Sequence, residues 1–147
     1  MSESEKILTK IKNSINNDAI NEILNYMCNI KTDTLYLDYT YFKYFANNQT
    51  YESIVNYIIN NINGILLSYD MFNVVVNMKG LTIGDVDKHK FFIQNIATVL
   101  KNSYPNKLTR CFIYNAPYVF SQVYNFVSLF IDKETQSKIE LVSSSPK

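Results

Sequence analysis

The sequence has no tryptophan, one histidine, one arginine, two cysteines, three glycines and three prolines among 147 residues. Each shortage removes a class of function. One imidazole among scattered carboxylates has none of the fixed ligand spacing that zinc and iron sites use, so no metal ligand is assigned. His89 stands in "DVDKHKFF" near Asp85 and Asp87. It reads as a solvated residue in the first turn of a helix, where the acids suit the positive end of the helix dipole. The two glycines of "GLTIGD" are wrongly spaced for a phosphate loop, and no dinucleotide fingerprint or G-x-S-x-G elbow occurs. Neither cysteine has a histidine close by in sequence, so no catalytic constellation is found and no cofactor is expected. Cys28 and Cys111 each lie in an apolar stretch, where a free buried thiol is the commoner state and a cytoplasmic setting is implied. Thirteen of the fourteen basic residues are lysines dispersed along the chain, and the net charge is +1. No basic stripe therefore marks a nucleic-acid partner. No run reaches the roughly 18 apolar residues of a spanning helix, and "MSESEK" lacks the charged and apolar parts of a secretory leader.

What is present is apolar surface. With 47% hydrophobic and 18% charged residues, the chain can bury enough to offset the entropy of ordering, and its length suits one domain. Ile7, Ile11, Ile15, Ala19, Ile23 and Met27 recur every four residues, which predicts two helices or one kinked helix to about residue 30. The expected organisation is an N-terminal helical region (1–33), an α/β core (34–142) and a polar tail (143–147). Leu35 to Thr40 alternates as a strand, and Tyr51 to Ile62 returns to helical spacing with Gly64 as a C-terminal stop. "MFNVVVNMKG" has the continuous apolar character of a strand buried on both faces, as does "RCFIYN". A helix from about Asp87 to Ser103 joins them into a β-α-β unit. After Pro117 comes a nearly all-apolar helix, and "IELV" makes a last short strand.

The run "VVVNMKGL", then about two dozen residues, then "YPNKLTRCFIYNAPYVF" and "FIDKETQSKI", resembles the CRAL-TRIO family of lipid-binding and phosphatidylinositol-transfer proteins. In that family an apolar strand ending in glycine leads through a helix to a Tyr-Pro pair, a second apolar strand, an Asn-x-Pro corner and an apolar helix. The likeness runs from Phe72 to Val142. It implies a three-layer α/β domain with a mostly parallel sheet, N-terminal helices and a gate helix, Tyr118 to Asp132, over an apolar pocket. Val74, Val76, Val119, Val123, Phe126, Val127 and Phe130 become the candidates for acyl-chain contact.

The resemblance also implies a headgroup site. Thr135 and Lys138 occupy the places of the family's inositol-phosphate ligands, and a hydroxyl with an ammonium suits a phosphate. Asn106 stands where the family has an acidic residue after Tyr-Pro and can hydrogen-bond an inositol hydroxyl. Phe72 stands where the family has a serine. The implied function is non-enzymatic binding and transfer or presentation of a phospholipid, phosphatidylinositol or a phosphorylated relative first, at a transiently touched membrane surface. The alternative is a protein-interaction module whose pocket is vestigial and filled by side chains. The family's usual segment beyond the last strand is not in this sequence, which implies a smaller or more open pocket.

Overall fold

The computed structural model describes residues 2–3, 5–7 and 17–143. Helix α1 (Asn17–Met27) leads directly into strand β1 (Cys28–Lys31), which pairs antiparallel with β2 (Thr34–Asp38). The helix expected to about residue 30 thus stops at Met27, and Cys28 and Ile30 enter the sheet edge. Ile11 and Ile15 of that stripe lie outside the described residues. Asp38 closes β2 and caps α2 (Tyr39–Phe45), its carboxylate accepting the Thr40 N–H at 2.9 Å.

Helix α3 (Tyr51–Leu66) buries Ile54, Val55, Ile58, Ile62 and Ile65 along one stripe. Gly64 does not end it: the helix runs on to Leu66, and the glycine faces Ile30 of β1, whose Cδ1 would lie 3.7 Å from an added Cβ. Strand β3 (Phe72–Asn77) follows, then the short helix α4 (Ile83–Lys88) and, after a break at His89, helix α5 (Lys90–Ser103). Strand β4 (Leu108–Tyr114) leads to α6 (Phe120–Val127), α7 (Lys133–Ser137) and β5 (Ile139–Leu141). The "DKETQSK" segment contains α7. The gate helix is shorter than the expected Tyr118 to Asp132, since Ser128 onward forms turns.

The strands lie in the order β1-β2-β3-β4-β5, and β2 to β5 are all parallel neighbours. The sheet is therefore mostly parallel and flanked by helices, as expected. Register decides which side chains share a face. Leu35, Val74, Cys111 and Ile139 form one rung, and Leu37, Val76, Ile113 and Leu141 the next. Tyr36, Val75, Phe112 and Glu140 alternate onto the opposite face.

Left-handed backbone marks the corners. Gly80 ends the segment after β3 at φ 89°, a conformation open to glycine at no steric cost. Asn115 takes φ 55° ahead of Ala116 and Pro117, and its amide donates to Asn77 Oδ1 at 3.1 Å, tying β4's exit to β3's. At the other end, the Tyr104 hydroxyl donates to Asn63 Oδ1 at 2.7 Å while its ring packs edge-on against Phe72. Pro105 then prevents α5 from continuing. The two proline corners thus bracket β4 and set the helices before and after it against the same sheet.

Candidate functional site

The helix-covered face of the sheet holds two apolar clusters. One joins Ile23, Leu24 and Met27 to Leu35, Ile54, Ile58, Ile62 and Phe72. The other gathers Tyr39, Met78, Leu81, Ile113, Val119, Phe120 and Val123. A cavity of about 290 Å³ lies among them. Leu37, Val76, Cys111, Ile113 and Ile139 form its floor, matching the register rungs above. Phe92, Ile93 and Ile96 of α5 and Phe120, Val123, Tyr124 and Val127 of α6 form its roof. The wall is almost wholly hydrocarbon and aromatic. Burial pushes the Cys111 thiol up to about 12, so it stays protonated and behaves as another apolar group.

On the outer side of α6 an open groove of about 410 Å³ runs past Ala116, Pro117, Tyr118, Ser121 and Leu141. Phe120, Tyr124 and Ile139 border both spaces, so the partition between cavity and groove is a layer of side chains. Helix α6 has no side-chain cap at its N-terminus, and what it buries, Phe120 and Val123, is apolar. Tyr118 and Leu129, near its two ends, are exposed.

Polar groups pack behind one end of the cavity's apolar wall. His89 is 2% exposed, with Phe42 at 4.9 Å between ring centroids and Tyr51 Oη at 2.6 Å from Nδ1. The expectation of a solvated His89 is corrected here. The break between α4 and α5 turns the ring inward, and Tyr51 comes from α3 to meet it. Burial above all, with Lys88 and Lys43 adding to it and Asp85 opposing, holds the imidazole below its ordinary pKa, so the neutral form is favoured. Asp85 accepts the Thr82 N–H at 3.0 Å in a capping box and pairs with Lys43 at 3.2 Å. Lys43 also donates to the Gly80 carbonyl at 2.7 Å. Despite some desolvation, these bonds keep the Asp85 carboxyl below the usual range. Burial, then the side-chain interaction with Asp85, raises the Tyr39 phenol far above its ordinary pKa.

Of the acyl-chain candidates, Val76, Val123 and Val127 line the cavity. Val74 packs against the first cluster and Val119 is buried in the second. Phe126 and Phe130 stack edge-to-face on each other, 5.2 Å between centroids. The headgroup candidates lie at the N-terminal edge of β4 and β5, outside the cavity lining. Asn106 is exposed in the turn before β4, with φ 60°. Thr135 donates its N–H to Asp132 Oδ1 at 2.7 Å, and this bond holds the Asp132 carboxyl below the usual range. Lys138 Nζ lies 3.8 Å from Glu134 and precedes Ile139 of the cavity floor. Among the described residues there is no His, Cys, Asp or Glu group that could hold a metal ion. The sequence reading missed Tyr39, His89 and the α5 roof; the α5 segment was visible there only as the connecting helix of a β-α-β unit.

Comparison with known proteins now adds to this geometry. The CRAL/TRIO domain family matches residues 34–147. A CRAL-TRIO domain-containing protein of Saccharomyces cerevisiae is 30% identical over 73 residues, 50% of this chain and 24% of that protein. The SEC14 cytosolic factor of Candida glabrata is 29% identical over 98 residues, 65% of this chain and 32% of that one. The Sec14 cytosolic factor of Schizosaccharomyces pombe is 26% identical over 73 residues, 50% of this chain and 26% of that one. The chain thus matches about a quarter to a third of the length of these relatives. The crystal structure of Sfh5 superposes with a TM-score of 0.70 at 19% identity, covering 92% of this chain and 52% of that one, a likeness of fold. Among the described residues no helix is long and apolar enough to cross a membrane.

Proposed function

Because the chain belongs to the CRAL/TRIO domain family, we propose that it binds a lipid without catalysis, shielding apolar chain in the cavity beneath α6 and exchanging it at membrane surfaces. The observation that carries this reading is the hollow itself. A helix-on-sheet interior is ordinarily packed to crystal-like density. Here about 290 Å³ between the sheet and α6 is left open and lined with hydrocarbon. Burying lipid chain there is favourable by about 25 cal/mol per Å², and a bilayer offers an equally apolar destination, so the barrier to opening governs exchange. The groove along Tyr124 and Ile139 supplies the direction of opening. Exposed Tyr118 and Leu129 give this side an apolar contact for a bilayer.

The reading extends to a phospholipid of the phosphatidylinositol class, with Thr135, Lys138 and Asn106 as headgroup ligands at the edge of β4 and β5. The position of Lys138 next to Ile139 supports this, since a headgroup held there would stand at the rim of the cavity floor. At about 290 Å³ the cavity is at the low end of small-molecule sites. Two acyl chains require Phe120 and Tyr124 to yield so that cavity and groove join. The vestigial-pocket alternative requires a filled interior between β3, β4 and α6, whereas the cavity occupies that space. Native mass spectrometry of the chain after incubation with mixed liposomes tests the function. One lipid per chain is expected, and a spectrum that never shows bound lipid overturns it.

A further inference from the structure

His89 stands at a joint in the cavity's helical roof. It is at once the C-cap of α4 and the N-cap of α5, with φ −105° and ψ 11°, and no side-chain cap holds the start of α5. Leu81 and Val86 before this joint and Phe92, Ile93 and Ile96 after it line the cavity. The buried ring itself fixes the corner. Its Nδ1 lies 2.6 Å from Tyr51 Oη of α3, and Phe42 of α2 packs edge-to-face against it at 4.9 Å between centroids. Resting on the reading of the cavity as a lipid site, we propose that His89 is an acid-released latch: its neutral ring pins the α4–α5 corner to α2 and α3, and protonation expels the ring and lets the α5 roof lift from the sheet.

The socket suits one charge state. Nε2 is buried without a hydrogen-bond partner. In the neutral imidazole that leaves one bond unmet, whereas the imidazolium has a proton on both nitrogens and part of its charge on Nε2 with nothing to receive it. The groups facing the ring do not compensate. On α4 the Asp85 carboxylate already accepts the Thr82 N–H at 3.0 Å and pairs with Lys43 of α2 at 3.2 Å. Lys90 of α5 pairs with exposed Asp87 at 3.8 Å. Tyr39 of α2 and Tyr51 of α3 are phenols that burial raises above their ordinary pKa, so both stay neutral in acid. Burial first, then Lys88, holds the ring neutral against the opposing charge of Asp85, and Lys43 adds to this. A ring released into water regains its ordinary value of 6.5, so the open form takes up a proton that the closed form does not. Closure is therefore full above 6.5 and weakens as pH falls below it. Ile54, Ile62 and Ile65 pack on Leu35 and Phe72 without the ring, so the opening is confined to the α4–α5 corner.

The test follows uptake of pyrenyl-decanoyl phosphatidylcholine from quenched vesicles, a lipid whose headgroup keeps its charge across the range used. Between about pH 7.5 and about pH 5.5 the wild-type chain is expected to speed uptake about tenfold, which is what one group that titrates at its ordinary value in the open form supplies over that interval. His89→Phe keeps an aromatic wedge without a titrating nitrogen and is expected to bring the ratio of the two rates close to one. In NMR titration of the wild-type chain without lipid, the His89 ring nitrogens are expected to protonate below 6.5 in step with shifts of the Ile93 and Ile96 methyls, while those of Ile54 and Ile62 stay put. An equal rate ratio in the two chains, or a ring that protonates with Ile93 and Ile96 unmoved, overturns the latch. Absence of uptake at both pH values overturns the lipid-site reading, and the methyl titration then decides the latch by itself. Should His89→Phe not fold, that titration again decides it.

Discussion

The two halves of the helix-covered sheet face are built from similar residues yet end in opposite states. Over β1, the start of β2 and Phe72 of β3 the interior is solid: one 16-residue helix, α3, lays Ile54, Ile62 and Ile65 against Leu35 and Phe72, and several of these side chains are wholly buried. Over β3, β4 and β5 the cover is broken into α4, α5 and α6, and a cavity remains beneath them. A long helix presents an unbroken ridge that can interdigitate with the sheet. A cover divided into helices of six, fourteen and eight residues presents no single ridge of that kind. The solid half provides rigidity, and the hollow half can open without unfolding it.

Substitutions can break this contrast directly. The largest effect is expected from Ile62→Ala in the solid half, which costs about 2–5 kcal/mol through lost transfer energy and a residual void, read from denaturant unfolding. Val123→Phe fills the hollow half instead. It should destabilise by no more than about 1–3 kcal/mol, because the ring enters existing space, while abolishing lipid uptake measured by native mass spectrometry. Tyr124→Ala thins the partition between cavity and groove and should speed lipid exchange between vesicles several-fold. Lys138→Ala is expected to weaken capture of phosphoinositide about fivefold, with phosphatidylcholine less affected, since it removes a charge-assisted contact.

The smallest effect concerns pH. Burial holds the His89 imidazole below its ordinary value of 6.5. Between 6.5 and that lower value the unfolded chain takes up a proton that the native chain does not. Stability is therefore full above this window and falls as pH drops through it. His89→Phe should flatten that part of the pH profile in thermal melts, and an unchanged slope would place the ring in solvent.

Legibility in the sequence followed the range of the interactions involved. "VVVN" and "CFIY" announced β3 and β4 because strands of a parallel sheet are apolar on both faces. The proline corners announced where α5 ends and α6 begins. β1 was hidden because Cys28 and Ile30 continue the apolar content of the preceding helix, and only pairing with Leu37 and Leu35 makes them strand. His89 was misread because its neighbours in sequence are charged. What buries it is Tyr51, 38 residues away, a contact that no local pattern encodes. The cavity was inferred from family likeness, since periodicity marks a helix as apolar without telling whether its apolar face meets a solid or a hollow.

The central claim is that the space beneath α6 takes up lipid chain. It is tested most directly by intermolecular nuclear Overhauser effects between ¹³C-labelled Ile and Val methyls and the acyl protons of a loaded lipid. Strong contacts from Val76, Ile113 and Val123, with none from Ile54 or Ile62, are the predicted result. Contacts confined to surface methyls, with those three silent, would contradict it.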